Sequence, residues 1–185
     1  LKIGWGEIND EDRLFVRKKF GNFNNILDIG CGSCPEYFGI KQMYKNVKYT
    51  GMDITQKLVK YNQDRGINCI LGSLNNIPFK DSTFDIIHSR HVVEHMNNIE
   101  TPLNEMIRVC KNKIFISFFI KPNESKNHKL NLSNKNTSRE IYHNSYSKYL
   151  IEKQLNMHQK VKKFEWFPLN KHSVCLLVIY ILIFL

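Results

Sequence analysis

No stretch of this 185-residue chain stays apolar for the ~20 residues that a membrane-spanning helix requires. The most apolar segment, Val174 to Leu185, ends well short of that length. Its β-branched and aromatic content reads as a buried strand, with a truncated tail anchor as the alternative. An N-terminal signal pattern is also missing, and five cysteines, an odd number, do not make a secreted disulfide framework. A reducing, cytoplasmic compartment is the expectation. There is no internal repeat, and the first residue is Leu1, which leaves a trimmed start or a fragment open.

Acid is the scarce charge. Seventeen Asp and Glu stand against 27 Lys and Arg, a formal net charge of +10. The lysines are scattered rather than clustered, so nucleic acid is a partner that the charge permits and no motif indicates. At 42% hydrophobic the chain suits one domain with a real core, taken as residues 1–185.

What is present is alternation. Asn9 to Phe20 begins acidic and ends basic around Leu14, Phe15 and Val16, the charge order that suits a helix dipole. Short apolar strands follow at Ile26 to Ile29, Val47 to Ile54, Asn68 to Leu71, Phe84 to Ile87 and Lys113 to Ile120. Between them lie helical stretches at Pro35 to Tyr44, Thr55 to Arg65 and Thr101 to Cys110. Strands apolar on both faces and separated by helices indicate a parallel sheet covered on both sides. After Pro122, Asn123 to Thr137 reads as a polar loop, Ser145 to Met157 as a helix, and Val161 to Phe167 with Ser173 to Ile183 as an antiparallel hairpin.

Three motifs compete to define the chemistry. Cys31-Gly-Ser-Cys34 at a strand-to-helix junction has the form of a thiol redox pair, because a helix N-terminus lowers a thiol pKa. Its flank fits poorly, with Gly30 where a thioredoxin-like site carries an aromatic residue. A structural zinc site needs further ligands, and Cys69, Cys110 and Cys175 stand alone in the sequence. His91-Val-Val-Glu94-His95 matches the inverted zinc-peptidase motif but lacks a downstream acidic ligand. The third reading joins several segments. Asp28 followed by Gly30 and Gly32 makes a tight bend, and about 20 to 25 residues on, a second strand ends in Asp53, where a carboxylate can take both hydroxyls of a ribose. A third glycine at dinucleotide spacing is absent, so the crevice suits a cationic nucleoside better than one carrying pyrophosphate.

Ile26-Leu-Asp-Ile-Gly-Cys-Gly32, Gly51-Met-Asp53, Gly72-Ser-Leu-Asn-Asn-Ile-Pro-Phe-Lys-Asp-Ser-Thr-Phe-Asp-Ile-Ile87 and the His-Val-Val-Glu-His95 that follows resemble successive motifs of class I S-adenosylmethionine-dependent methyltransferases, in the small-molecule, type 11-like branch. The resemblance runs from about Ile26 to Ile120, and more loosely to Ile179. It implies a doubly wound Rossmann-like α/β sheet of about seven strands, mostly parallel with a C-terminal antiparallel hairpin. It also implies S-adenosylmethionine as cofactor, a small-molecule methyl acceptor and no metal.

Carried onto this chain, the family pattern runs the backbone of Gly30, Cys31 and Gly32 along the methionine portion, with Asp28 helping to hold its ammonium directly or through water. Asp53 would bind the ribose hydroxyls, Ile54 would pack beside the adenine, and Ser73 and Leu74 would lie at its edge. His88 and Ser89, just past the fourth strand, would line the methyl-donor end. For a hydroxyl acceptor, His91 and then His143 are the candidate bases. Substrate choice is expected from an N-terminal helix or cap at 1–22 and a loop at 121–146, where Trp5, Tyr142 and Tyr146 would cover a ring or close the core. Two departures stand out: Cys34 replaces a third glycine, and Ser73 replaces an acid near the adenine. A methyltransferase-like scaffold without catalysis is the alternative they keep open. The oligomeric state is not legible.

Overall fold

The computed structural model describes residue 8 and residues 10–133, 141–169 and 175–181. Helix α1 (Glu11–Lys18) leads into β1 (Asn25–Ile29), α2 (Pro35–Met43), β2 (Lys48–Asp53), α3 (Gln56–Gln63), β3 (Cys69–Leu71), β4 (Phe84–Arg90), α4 (Glu100–Val109) and β5 (Cys110–Ser117). A ribbon of β6 (Leu132–Ser133) and β7 (Ile141–Tyr142), then α5 (Lys148–Met157), β8 (Val161–Pro168) and β9 (Cys175–Ile181), complete the order.

Seven strands form one sheet in the order β3-β2-β1-β4-β5-β9-β8. The first five are parallel, while β9 runs antiparallel to both β5 and β8. The doubly wound α/β sheet with a closing antiparallel hairpin is therefore the architecture, and the described part of the apolar segment near the C-terminus, Cys175–Ile181, is an interior strand of it. Strand order reverses between β1 and β4, which opens a crevice at their carboxyl ends.

The two-residue period of the strands sorts the core into two clusters. Leu27, Ile29, Ile87, Ile114 and Ile116 pack with Leu103, Ile107, Ile151 and Leu155 of α4 and α5 on one face. Ile26, Tyr49, Ile86 and Phe115 pack with Val16, Phe20, Ile40 and Val59 on the other. Burial on both faces explains why these strands read as continuous apolar runs.

Helix α1 begins as its charge order implies. The Asp10 side chain caps it, accepting from the Arg13 backbone N–H at 2.8 Å, with Glu11 and Asp12 in the first turn and Arg17 and Lys18 in the last. Its inner face differs from the apolar Leu14, Phe15, Val16 stripe. Phe15 is 40% exposed, whereas Arg13 and Arg17 are buried against Glu36 of α2. Gly39 makes room for that contact, since a Cβ there would lie 1.7 Å from an Arg17 guanidinium nitrogen. Gly39→Ala, which would favour an isolated helix by about 1 kcal/mol, is expected instead to destabilise by roughly 1–3 kcal/mol through overpacking, as read by urea unfolding.

The strands that depart most from the sequence reading are β4 and β5. β4 continues through His88, Ser89 and Arg90 because it is laddered on both sides, to β1 and to β5. β5 starts at Cys110 and ends at Ser117. The described part of the 123–137 segment is more than a loop: bridges join Asn123 to Ser147 and Lys129 to Ser145, and β6 pairs with β7. Trp5 lies outside the described residues. Among the described residues no helix is long and apolar enough to cross a membrane.

Candidate functional site

The bend after β1 is set by hydrogen bonds and by glycine. Gly30 and Cys31 both donate backbone N–H groups to the Met52 carbonyl, at 2.7 and 3.1 Å. Gly30 and Gly32 take positive φ values of 66° and 56°, which L side chains rarely adopt. A Cβ on Gly30 would also meet the Val92 side chain at 2.3 Å, so the segment after β4 closes directly on the bend.

Asp53, at the tip of β2, reaches across to that bend. Its Oδ2 accepts from the Gly32 N–H at 2.9 Å and its Oδ1 from the Thr55 N–H at 2.8 Å. A carboxylate offers about four lone-pair sites, so each oxygen keeps capacity for a further donor. Beside it Ile54 is 76% exposed, an apolar side chain at the crevice edge, whereas Leu74 is buried in the core. Ser73 is half-buried, and its hydroxyl accepts from the Asn75 N–H at 3.3 Å.

Asp28 and His88 are placed differently from the expectation. Asp28 is 3% exposed; its Oδ2 accepts from the Tyr49 hydroxyl at 2.7 Å and its Oδ1 lies 2.8 Å from His88 Nδ1. Each Asp28 oxygen has one partner inside the core. His88 is equally buried, inside β4 rather than past it, with its ring 6.0 Å from that of Phe20. It does not line the crevice, because strand alternation turns it to the α1 face. Ser89 points to the opposite face, fully buried, and its hydroxyl has no hydrogen-bond partner among the described residues.

The two histidine candidates lie near one phenylalanine, Phe119. His91 has φ 59° and donates its backbone N–H to the Ser117 carbonyl at 2.9 Å. Its ring centre lies 5.6 Å from that of Phe119, and the His143 ring lies 6.0 Å from the same phenylalanine. Burial first, then the charges of Arg90 and Arg13, push the His91 pKa down to about 4, which keeps the ring neutral at neutral pH. Tyr146 closes the core: it is fully buried and donates to the Met96 carbonyl.

The His91 to His95 segment is a turn rather than a metal-binding helix. A single 3-10 turn spans Val93–His95. Glu94 is fully buried, and its Oε1 accepts the Phe119 and Ile120 N–H groups at 2.6 and 3.3 Å. Burial raises its pKa to about 7. A carboxyl whose folded pKa lies above its unfolded value of 4.5 contributes stability below pH 4.5 and loses it as pH rises through about 7. Chemical unfolding at pH 5 and pH 8 is expected to show a wild-type loss, relative to Glu94→Gln, on the order of 3 kcal/mol. Comparison with the variant isolates Glu94 from His91, whose depressed pKa acts in the opposite direction.

The cysteines are the largest departure. Cys69 does not stand alone: its sulfur lies 3.5 Å from that of Cys31, and Cys31, Cys34 and Cys69 form one buried group with sulfurs within 4.8 Å of one another. Hydrogen bonds to Cys34 and Cys69, then burial, push the Cys31 thiol far up, while hydrogen bonds from Cys31 and Cys34 pull Cys69 down. Cys31 and Cys34 are 5% and 0% exposed, and a disulfide-exchanging pair needs an accessible thiolate. Sequence reasoning also missed the Tyr49–Asp28–His88 chain, whose signal was polar residues inside otherwise apolar strands. For Cys69 no local signal exists.

Residues 27–117 match a family model described as a methyltransferase domain. An uncharacterized protein of Methanocaldococcus jannaschii is 33% identical over 109 residues, covering 58% of this chain and 46% of that protein. Norajmaline N-methyltransferase of Rauvolfia serpentina is 30% identical over 94 residues, covering 46% of this chain and 32% of that enzyme. The chain thus spans less than half the length of these relatives. A solved structure described as a SAM-dependent methyltransferase from Methanosarcina mazei shares the fold, with TM-score 0.67 at 14% identity over 91% of this chain and 97% of that one. The likeness at residues 27–117 is to a methyltransferase domain, and the likeness to the solved structure is one of fold.

Proposed function

We propose that this chain transfers a methyl group from S-adenosylmethionine to a small-molecule acceptor. The observation that carries the reading is the direct hydrogen bond from Gly32 to Asp53, which sets a carboxylate against a side-chain-poor bend at the point where strand order reverses. In this reading Asp53 accepts the ribose hydroxyls with its free lone pairs. Ile54 covers the adenine, Ser73 and Leu74 bound its edge, and the backbone from Gly30 to Gly32 runs along the methionine portion. Ser89 lies below, and Asp28, through Tyr49 and His88, positions the strand ends from inside the core.

The cofactor brings a methyl group already activated on a positively charged sulfur. What remains for the chain is to align the acceptor and exclude water. His91, neutral at neutral pH, can accept a proton from a hydroxyl acceptor, and His143 flanks the same mouth across Phe119. At a pKa near 4 His91 is a weak base, so it suits an acceptor that loses its proton late. The 1–22 cap and the 121–146 segment would frame the acceptor within a single 1–185 domain. The name of the Rauvolfia relative, an N-methyltransferase of norajmaline, supports a small acceptor. Free Cys31, Cys34, Cys69 and Cys110 suit a reducing, cytoplasmic setting.

Calorimetry with S-adenosylmethionine tests the first half, and absence of binding would end this reading. Incubation of a whole-cell extract with methyl-labelled cofactor tests the second. A labelled product under about 1 kDa supports the small acceptor, whereas label confined to RNA would overturn it.

A further inference from the structure

We propose that Cys31, Cys34 and Cys69 form a buried binding site for a soft, thiophilic cation held by three sulfurs, with monovalent copper the best match. The ligands come from three elements: the bend after β1, the residue capping α2, and the first residue of β3. Their sulfurs all lie within 4.8 Å of one another, and the Cys31 to Cys69 separation is 3.5 Å. An ion bound to three thiolates at about 2.3 Å holds them about 4 Å apart, so small side-chain adjustments close the site.

A second observation concerns the backbone against which the three sulfurs pack. Gly51 lies inside β2, where a glycine weakens a strand and marks a close approach. A Cβ there would stand 2.9, 3.2 and 3.3 Å from the sulfurs of Cys31, Cys34 and Cys69. The missing methyl leaves the shared side of all three sulfurs open. Nearby groups favour a cation bound by thiolates. Asn62 Nδ2 lies 3.7 Å from the Cys69 sulfur and also donates to the Gly32 carbonyl at 2.8 Å. The N-terminus of α2 faces Cys34.

Among the described residues no His, Asp, Glu or fourth Cys joins the group. Structural zinc asks for four ligands, whereas soft monovalent copper accepts three thiolates. Binding involves no electron transfer. Each cysteine that ligates as a thiolate gives up its S–H proton to solvent, and a copper–sulfur bond replaces it. The occupied site would tie the bend to β3 and stiffen the crevice.

The test is anaerobic titration of the reduced full chain with Cu(I) against a colorimetric chelator, with X-ray absorption on the loaded wild type. One retained equivalent is expected for the wild type and for Cys110→Ser, with a shell of three sulfurs at about 2.3 Å. Cys31→Ser, Cys34→Ser and Cys69→Ser should each weaken retention by more than the roughly 10–100-fold that loss of an outer-shell partner costs. Gly51→Ala should do the same with every thiol intact. Wild type that yields all its copper to the chelator would overturn the proposal, as would a two-sulfur shell or retention unchanged in Cys69→Ser. Should the cysteine variants fail to fold, the wild-type absorption spectrum decides. None of these readouts involves methyl transfer, so the outcome is separable from that of the cofactor calorimetry.

Discussion

Replacing Asp53 with alanine is expected to weaken S-adenosylmethionine binding by roughly 10²–10⁴-fold. Each hydrogen bond from a ribose hydroxyl to a charged carboxylate contributes about 1.5–3 kcal/mol, and two are lost together. The substitution also strands the Gly32 and Thr55 N–H groups that Asp53 now accepts, so the bend itself loosens. Asp53→Asn separates the two effects. It keeps one side-chain oxygen for the backbone and removes the charge, so an intermediate loss of roughly 10–100-fold is expected. Calorimetry checks both, with circular dichroism confirming that each variant is folded. Folded Asp53→Ala protein that binds within about threefold of wild type would remove Asp53 from the ribose site.

Glu36→Ala is expected to produce the largest loss of stability, roughly 3–5 kcal/mol in urea unfolding with an unchanged m-value. Glu36 is buried, and its two oxygens are divided between Arg13 and Arg17, the second at 3.2 Å. Arg17 is also buried and donates from its other terminal nitrogen to the Ile8 carbonyl at 2.6 Å. Alanine would leave two guanidinium groups in the interior without the carboxylate they share. Breaking such a cluster from one side costs far more than the intact cluster contributes, because two buried cations lose a carboxylate while only Arg13 keeps the 3.1 Å ion pair to Asp10 described for it. Glu36→Gln preserves the shape and removes the charge, so its cost should fall between wild type and alanine. A shift below about 1 kcal/mol for Glu36→Ala would show that the two arginines find water or another partner when α1 lifts slightly.

The Arg13, Arg17 and Glu36 cluster marks where the sequence stopped being informative. In the sequence, Arg17 is one of the basic residues closing an amphipathic helix, and that part of its role is real. Its burial depends on Glu36, 19 residues away, and on a glycine that spares it a collision. Asp28 shows the same limit at the candidate site. As a residue at a strand end beside glycines it reads as a ligand for an ammonium; in the sheet it meets Tyr49 and His88, 21 and 60 residues away, and turns inward.

Short-range chemistry was carried openly by the chain. Apolar pentamers and hexamers separated by helical stretches specify a covered parallel sheet, because each strand must bury both faces. Glycine at 30 and 32 specifies a bend with positive φ, because bulkier residues resist that conformation. An acid at the end of the second strand places a carboxylate beside that bend, because neighbouring parallel strands end at one edge. The partners of the polar side chains were settled only by assembly. Register decides which of two faces a strand residue joins, and a change of face turns a crevice-lining histidine into a core one. The three sulfurs gathered around Gly51 have the same origin: Cys69 is 38 residues from Cys31 along the chain and 3.5 Å from it in space. No local window contains that proximity, since it arises from strand order and helix docking together.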